Sequence, residues 1–211
     1  MVTVRVPATT ANLGPGFDCL GAALDLVARF SFEEMDGGLV ITGCEAQYTG
    51  AGNLVYQAFL RTLEHFGERP RGLRLHIASP IPPARGLGSS AACVVAGILG
   101  AKALRDLLLS PDMAFTLAAD MERHPDNAAA AVYGGLRVSV TDDGRPLALP
   151  ASVHPDLRLL ALVPDFILET EEARRALPET VSRGDAVYNL SHTAFLLKSL
   201  ETGDGEMIRA A

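Results

Sequence analysis

The feature that most constrains the fold is a run of small apolar residues, AACVVAGILGA, at positions 91–101. Ser89 or Ser90 caps this run and predicts a helix that continues to about Leu109. The first turns of the helix are apolar on almost every side, which is typical of a helix surrounded by protein in the middle of a domain. The wider apolar stretch, around residues 91–104, is interrupted by Lys102 and is too short to predict a membrane span.

The remaining segments mix strand and helix patterns without a regular β-α-β order, and this predicts an α+β fold. Strand patterns occupy residues 2–6, 22–34, 39–43, 73–78, 136–140 and 157–163. Helix patterns occupy residues 54–65, 89–109, 111–123, 128–135, 169–178 and 184–201. Residues 7–21 are rich in Gly, Pro, Asn and Thr and are predicted to be irregular. A fresh segment begins near residue 150, so we expect one domain over 1–150 and a second over 151–211.

The charge balance limits the expected partners. The net charge is -7, the pI is about 5.2 and no run of Lys and Arg occurs, so neither a nucleic acid nor an acidic membrane surface is expected. Cys19, Cys44 and Cys93 are far apart and lack metal-ligand spacing, which predicts reduced thiols in a cytoplasmic protein. The N-terminus alternates like a strand and lacks the apolar segment of a secretory signal.

The loop before the small-residue helix, RGLGSS at 85–90, matches several glycine motifs in part. A Walker A loop is excluded because no lysine follows Gly88 to reach the outer phosphates. Residues 86–91 fit the pattern G-x-G-x-x-A of dinucleotide sites, but a proline-rich loop separates them from the preceding strand, and Asp106 lies in or near the same helix. Two interpretations remain. The glycines let the helix pack closely, or they form a phosphate cradle at its positive end.

Longer strings carry a resemblance to a known family. PPARGLGSSAA (82–92) closely resembles the phosphate-binding motif of the GHMP kinases, the superfamily of galactokinase, homoserine kinase, mevalonate kinase and phosphomevalonate kinase. VPATTANLGPGFDCLGAALDL (6–26) and ERHPDNAAAAVYGGL (122–136) are similar to homoserine kinases in particular, and NLVYQAF (53–59) and TEEARRALP (170–178) have counterparts there. The resemblance implies a two-domain kinase fold, with a ribosomal-protein-S5-like N-terminal domain and a ferredoxin-like C-terminal domain that is incomplete at this length.

The resemblance also implies that ATP phosphorylates the side-chain hydroxyl of L-homoserine, with Mg²⁺ as cofactor. Asp18 matches the family's partner for the α-ammonium group, and Arg174 offers a planar fork to the α-carboxylate. The implied substrate contacts are Asn12, Asp18, His124, Asn127, Thr170 and Arg174. The implied ATP site comprises Asn53, Leu54, Val55, Pro83, Ala84, Arg85, Gly86, Leu87, Gly88, Ser89, Ser90 and Ala91. Ser90 and Glu122 match the family's metal ligands, a hydroxyl and a carboxylate.

Two positions depart from the wider family. Asn127 stands where several relatives have an aspartate base, and a carboxamide cannot take a proton at neutral pH. We therefore expect a reaction without a protein base, in which Asn127, Glu122 and Ser90 act by positioning and charge stabilisation. Arg123 replaces an expected Gly. A related kinase with another substrate and an inactive, nucleotide-binding remnant remain as alternatives, and a homodimer is an expectation from the family.

Overall fold

A six-stranded sheet forms the centre of the computed structural model, which describes residues 1–163 and 170–211. The strands are β1 (Val2–Asn12), β2 (Gly16–Glu34), β3 (Leu39–Thr42), β4 (Leu73–Ala78), β5 (Leu136–Asp142) and β6 (Arg145–Ala151). Strand β2 pairs with β1 along most of its length, with β4 near its end and with β5 near its start. All pairings are antiparallel except β3 with β4. Because β1 occupies one edge of β2, β4 and β5 share the other edge.

The helices are α1 (Leu54–His65), α2 (Ser89–Arg105), α3 (Pro111–Glu122), α4 (Pro125–Tyr133), α5 (Thr170–Arg175), α6 (Arg183–Thr202) and α7 (Gly205–Ala210). Helices α1 to α4 cover one face of the sheet, where alternate residues of β1 and β4 are buried. The predicted α+β class is confirmed. No helix among the described residues has the length and apolar character to cross a membrane.

Helix α2 lies at the centre of this layer, as its composition predicts. Its residues from Ala91 to Ala101 are mostly buried. A Cβ added at Gly97 would lie 2.3 Å from the backbone oxygen of Val55 in α1, so the small residue permits close helix packing. The predicted ends were wrong. Gly88, with φ +63°, is the N-cap, and the helix ends at Arg105, before a left-handed Asp106.

The predicted irregular stretch at 7–21 is instead mostly a β-hairpin, since β1 runs to Asn12 and β2 begins at Gly16. The strand tolerates its proline because a register shift falls between Pro7 and Thr9, where a ladder hydrogen bond is dispensable. The turn needs only three residues, and Gly14 supplies a positive φ of 59°. Gly, Pro and Asn therefore mark the bulge and the turn of a hairpin.

Other predicted elements have mixed outcomes. The helix predicted at 184–201 is confirmed as α6, and Ser110 caps α3 as expected. The predicted strand at 157–163 is wrong, because these residues have no regular structure and pair with no strand among the described residues. Strand β6 was missed, although Asp143-Gly144, both with positive φ, is a typical two-residue hairpin turn.

Helix α6 packs against the tip of the β1–β2 hairpin and so helps to position the site. Its Leu196 is buried and lies 3.5 Å from the position of a Cβ at Gly14. The Thr193 hydroxyl donates to the backbone oxygen of Pro15 at 2.8 Å. These contacts hold the hairpin tip against α6. The domain boundary near residue 150 stays a prediction.

Candidate active site

A cleft of about 730 Å³ opens where the end of β1, the glycine loop, the α3–α4 junction and helix α5 meet. Its lining comprises Ala11, Asn12, Leu54, residues 84–90, residues 121–124, Asp126, Asn127 and Arg174. Most of the residues predicted for the site therefore face one space. The cleft has two halves, which we call the phosphate half, around residues 84–90, and the amino-acid half, around Asn12 and Arg174.

Backbone geometry defines the phosphate half. Gly86 and Gly88 have φ values of +70° and +63°, which bring the loop to the start of α2. The first N–H groups of a helix lack intrahelical acceptors, and the helix dipole makes this end positive, so an anion is favoured here. A Cβ at Gly88 would lie 1.8 Å from the Thr9 Oγ1, whereas a Cβ at Gly86 would meet nothing within 4 Å. Gly88 is therefore required by close packing as well as by its conformation.

A serine and a carboxylate meet at the edge of the phosphate half. The Ser90 Oγ donates to the Glu122 Oε1 at 2.6 Å, which joins the start of α2 to the end of α3. Burial raises the pKa of Glu122, the hydrogen bond from Ser90 opposes this shift, and the charge of Asp126 adds to it. No cluster of three or more His, Cys, Asp or Glu side chains suitable for a metal occurs in the described part of the chain. One carboxylate and one hydroxyl suit a Mg²⁺ ion that takes its other oxygens from phosphate and water.

Asn127 lies on the first turn of α4 and faces the cleft. Its Oδ1 accepts a hydrogen bond of 2.7 Å from the Thr9 hydroxyl, and Thr9 is fully buried in β1. The Thr9 backbone N–H donates to the Leu87 oxygen at 3.2 Å. Sequence reasoning missed Thr9, although it lies inside the N-terminal string that carries the resemblance.

Asp126 is a second residue that the sequence predictions did not include. Its side chain is buried and accepts a 2.6 Å hydrogen bond from the backbone N–H of Asn127. Burial raises its pKa, and the charge of Asp18 adds to this; the Asn127 hydrogen bond and the charges of His124 and Arg174 oppose it. The only available signal was its place between two predicted contacts.

The amino-acid half is built from charged side chains. Asp18 and Arg174 form a two-pronged ion pair, in which Nη1 and Oδ2 are 3.0 Å apart and Nη2 bonds to Oδ1. The Arg174 guanidinium also lies 5.1 Å from the ring centroid of Phe17. The Asn12 Oδ1 accepts from the Asp18 backbone N–H at 2.9 Å, which shapes the hairpin tip. Two residues predicted to bind opposite charges of a ligand thus neutralise each other here.

The remaining predicted residues fall in different places. Asn53 is buried and caps α1 by accepting from the N–H groups of Val55 and Tyr56, while Val55 itself lies in the core. Leu54, between them, is the one that lines the cleft. Pro83 is exposed just before the lining segment, and Ala91 is buried at the start of α2. Thr170 begins α5, but its side chain lies outside the described residues.

Arg123 ends α3 in a left-handed conformation, with φ +64°. A left-handed position at the end of a helix favours glycine, which is the residue that the family resemblance implies here. The Arg123 side chain is exposed and lines the cleft beside Glu122.

Comparisons with known proteins show which proteins this chain is similar to. The family model "GHMP kinases N terminal domain" matches residues 53–135. The chain is 42% identical over 211 residues to a homoserine kinase of Clostridium botulinum and 44% identical over 215 residues to one of Nostoc punctiforme. Each alignment covers the whole chain and 71% of the relative. A solved homoserine kinase of Cytophaga hutchinsonii superposes with a TM-score of 0.80 at 26% identity, covering 98% of this chain and 70% of that one.

Proposed function

The chain belongs to the homoserine kinases of the GHMP superfamily, and from this membership we propose that it transfers the γ-phosphoryl group of ATP to L-homoserine. The products are ADP and O-phospho-L-homoserine, which serves threonine biosynthesis, and we place the reaction in the cytoplasm. One observation carries the proposal. A backbone anion cradle and an Asp–Arg pair suited to a zwitterion line or border the same cleft.

In this proposal the phosphate half binds the nucleotide. The N–H groups from Gly86 to Ala91 hold the phosphates at the start of α2, and Leu54 contacts the base. The Ser90 hydroxyl and the Glu122 carboxylate hold a magnesium ion, which supplies positive charge to the phosphates when bound. The short Ser90–Glu122 contact supports this role, because it already brings the two oxygen groups to one point at 2.6 Å.

The amino-acid half binds homoserine by its charges. The α-ammonium pairs with Asp18 and the α-carboxylate with the guanidinium of Arg174, so the ligand replaces one ion pair by two. Asn12 and His124 complete the polar surroundings from the hairpin and the α3–α4 junction. Thr170 stays a predicted contact.

The transfer step then needs alignment more than proton abstraction. The homoserine oxygen attacks the γ-phosphorus, the bond to the β–γ bridging oxygen breaks, and the hydroxyl proton passes to a phosphate oxygen or to water. A loose phosphoryl-transfer transition state makes a protein base dispensable.

Replacing Asp126 tests whether a protein base is needed, since it is the one carboxylate besides Glu122 among the described residues that line the cleft. Asp126→Asn is expected to keep kcat within about tenfold, and a loss beyond about 10³-fold would identify Asp126 as the base.

A coupled ADP-release assay with Mg·ATP tests the function itself. We expect turnover with L-homoserine and much slower turnover with L-threonine, L-serine, mevalonate or galactose. Arg174→Ala should abolish the homoserine preference while nucleotide still raises the melting temperature. Turnover with mevalonate or galactose but not with homoserine would support a different GHMP kinase. Nucleotide binding without turnover of any acceptor would indicate a chain that only binds nucleotide. A homodimer stays a prediction, testable by sedimentation.

A further inference from the structure

We propose that Thr9 is a positioning residue for the transfer step: its hydroxyl sets the orientation of the Asn127 carboxamide and ties it to the phosphate loop. The proposal deepens the proposed kinase function and rests on it. Thr9 is fully buried, and its side chain does not line the cleft. It therefore acts on the reaction only through residues that do line it.

The Thr9 hydroxyl selects one of the two orientations of the Asn127 carboxamide. A carboxamide has an acceptor end and a donor end, which exchange when the group turns over. In the observed arrangement Thr9 Oγ1 donates to Asn127 Oδ1 at 2.7 Å. If the amide were turned over, the Thr9 hydroxyl would accept from Nδ2, and its own buried proton would lose its acceptor. Leaving a buried donor unsatisfied is costly, so the arrangement with Nδ2 directed away from Thr9 is favoured.

Thr9 also contacts the phosphate loop by two routes. Its backbone N–H donates to the Leu87 oxygen, and its hydroxyl oxygen lies only 1.8 Å from the position that a Cβ of Gly88 would take. The β1–β2 ladder shifts register here, because Pro7 pairs with Val27 and Thr9 with Ala23, so the extra residues of the bulge lie on β2 opposite Thr9. One residue thus joins the loop that is proposed to bind ATP to the amide that is proposed to face homoserine.

The expected consequence is a fixed donor for the acceptor substrate. With Oδ1 held by Thr9, Asn127 offers Nδ2 to the oxygen of the homoserine hydroxyl. The hydrogen bond holds the oxygen in line with the γ-phosphorus and cannot remove its proton. This agrees with a reaction whose rate depends on alignment.

Thr9→Val and Thr9→Ser form a matched pair for the test. Valine keeps the β-branched shape and loses the hydroxyl, whereas serine keeps the hydroxyl. We expect Thr9→Val to lower kcat about 10- to 100-fold while KM for ATP changes by less than about threefold, and Thr9→Ser to retain most of kcat. In an Asn127→Ala background, Thr9→Val should lower kcat no further. Equal losses in both Thr9 variants, or full additivity with Asn127→Ala, would overturn the proposal.

A second measurement does not depend on turnover. The side-chain amide resonances of Asn127 in a ¹H–¹⁵N NMR spectrum, identified by their loss in Asn127→Ala, report its hydrogen bonding directly. They should shift in Thr9→Val and return close to the wild-type position in Thr9→Ser. If they stay unmoved in Thr9→Val, Thr9 does not orient Asn127. Failure of wild-type turnover with homoserine would instead count against the proposed function, and the NMR result would still decide the role of Thr9.

Discussion

The two halves of the cleft are built on different principles. The phosphate half is built mainly from backbone, with two left-handed glycines and the start of a buried helix, and at Gly88 there is no room for a side chain. The amino-acid half consists of charged side chains at a hairpin tip and on α5, and Asp18 and Arg174 are separated by 156 residues of sequence. We therefore expect the phosphate half to be sensitive to the volume of a substituted side chain and the amino-acid half to its charge.

The largest effect is expected where volume matters most. Gly88→Ala places a Cβ 1.8 Å from Thr9 Oγ1 and requires a left-handed alanine. We expect a loss of about 3 kcal/mol in the free energy of unfolding, from strain and overpacking together. The melting temperature should no longer rise with Mg·ATP.

Gly86→Ala is the matched control, because its φ is also left-handed but its Cβ would meet no atom within 4 Å. A loss of only about 1 kcal/mol is expected. Urea unfolding of both variants measures the difference, and equal losses would show that packing against Thr9 contributes nothing.

Charge changes in the amino-acid half should lower kcat/KM for homoserine and leave the free energy of unfolding nearly unchanged. Asp18→Asn and Arg174→Ala each remove one charge, and we expect kcat/KM for homoserine to fall about 100-fold. The pair is partly exposed, so unfolding free energy should change by less than about 1 kcal/mol. Isothermal titration should find an unchanged Kd for ATP, and a weakened Kd would mean that the halves are not separable. Arg174→Lys keeps the charge but loses the planar fork of the guanidinium, so its kcat/KM for homoserine should lie between the values of the wild type and of Arg174→Ala.

Arg123 provides a further test, because it places a side chain at a left-handed backbone position that favours glycine. Arg123→Gly should relieve the left-handed strain and stabilise the protein by about 0.5–1 kcal/mol. Arg123→Ala keeps the Cβ and is expected to give no such gain. Thermal melts of the two variants test this, and a gain in both would assign the effect to the lost charge.

The smallest effect should come from Asp126, a buried charge between the halves. Its raised pKa means that the folded protein binds its proton more tightly than the unfolded chain does. Its contribution to stability is therefore greatest below the unfolded-state pKa and is lost as the pH rises through the folded pKa. Asp126→Asn should raise the melting temperature at neutral pH and give a smaller gain towards acidic pH. A gain that is independent of pH would contradict this.

Sequence alone predicts the glycine loop and the buried helix behind it because their residues are contiguous, whereas phosphate binding by this loop stays a prediction. The string around Gly86 and Gly88 lies directly before a run of small apolar residues, and these local features fix the loop and the buried helix. The amino-acid half was predicted by resemblance only. Nothing local indicates that Asp18 and Arg174 bond to each other, because their contact requires the hairpin and α5 to meet.

The wrong predictions have the same origin. Residues 7–21 look irregular in sequence, yet the pairing of β1 with β2 orders them. Pro7 lies beside a register shift of this pairing. Residues 157–163 look like a strand, but Leu160 and Leu162 are 87% exposed and no described strand pairs with them. A strand needs a neighbour, which the local pattern does not encode. Thr9 was overlooked because its importance lies in contacts with Gly88 and Asn127, which lie far from it in sequence.

The contact between Thr9 and Gly88 also has a consequence for evolution. The two positions cannot drift independently, because any side chain at 88 must displace the hydroxyl at 9. A residue without a hydroxyl at 9, such as alanine, would make room, but Asn127 would then lose its donor. A mutation in the loop that we propose to bind ATP is thereby linked to the residue that we propose to face homoserine. A path to a different residue at position 88 must pass through a change at Thr9, outside the loop itself.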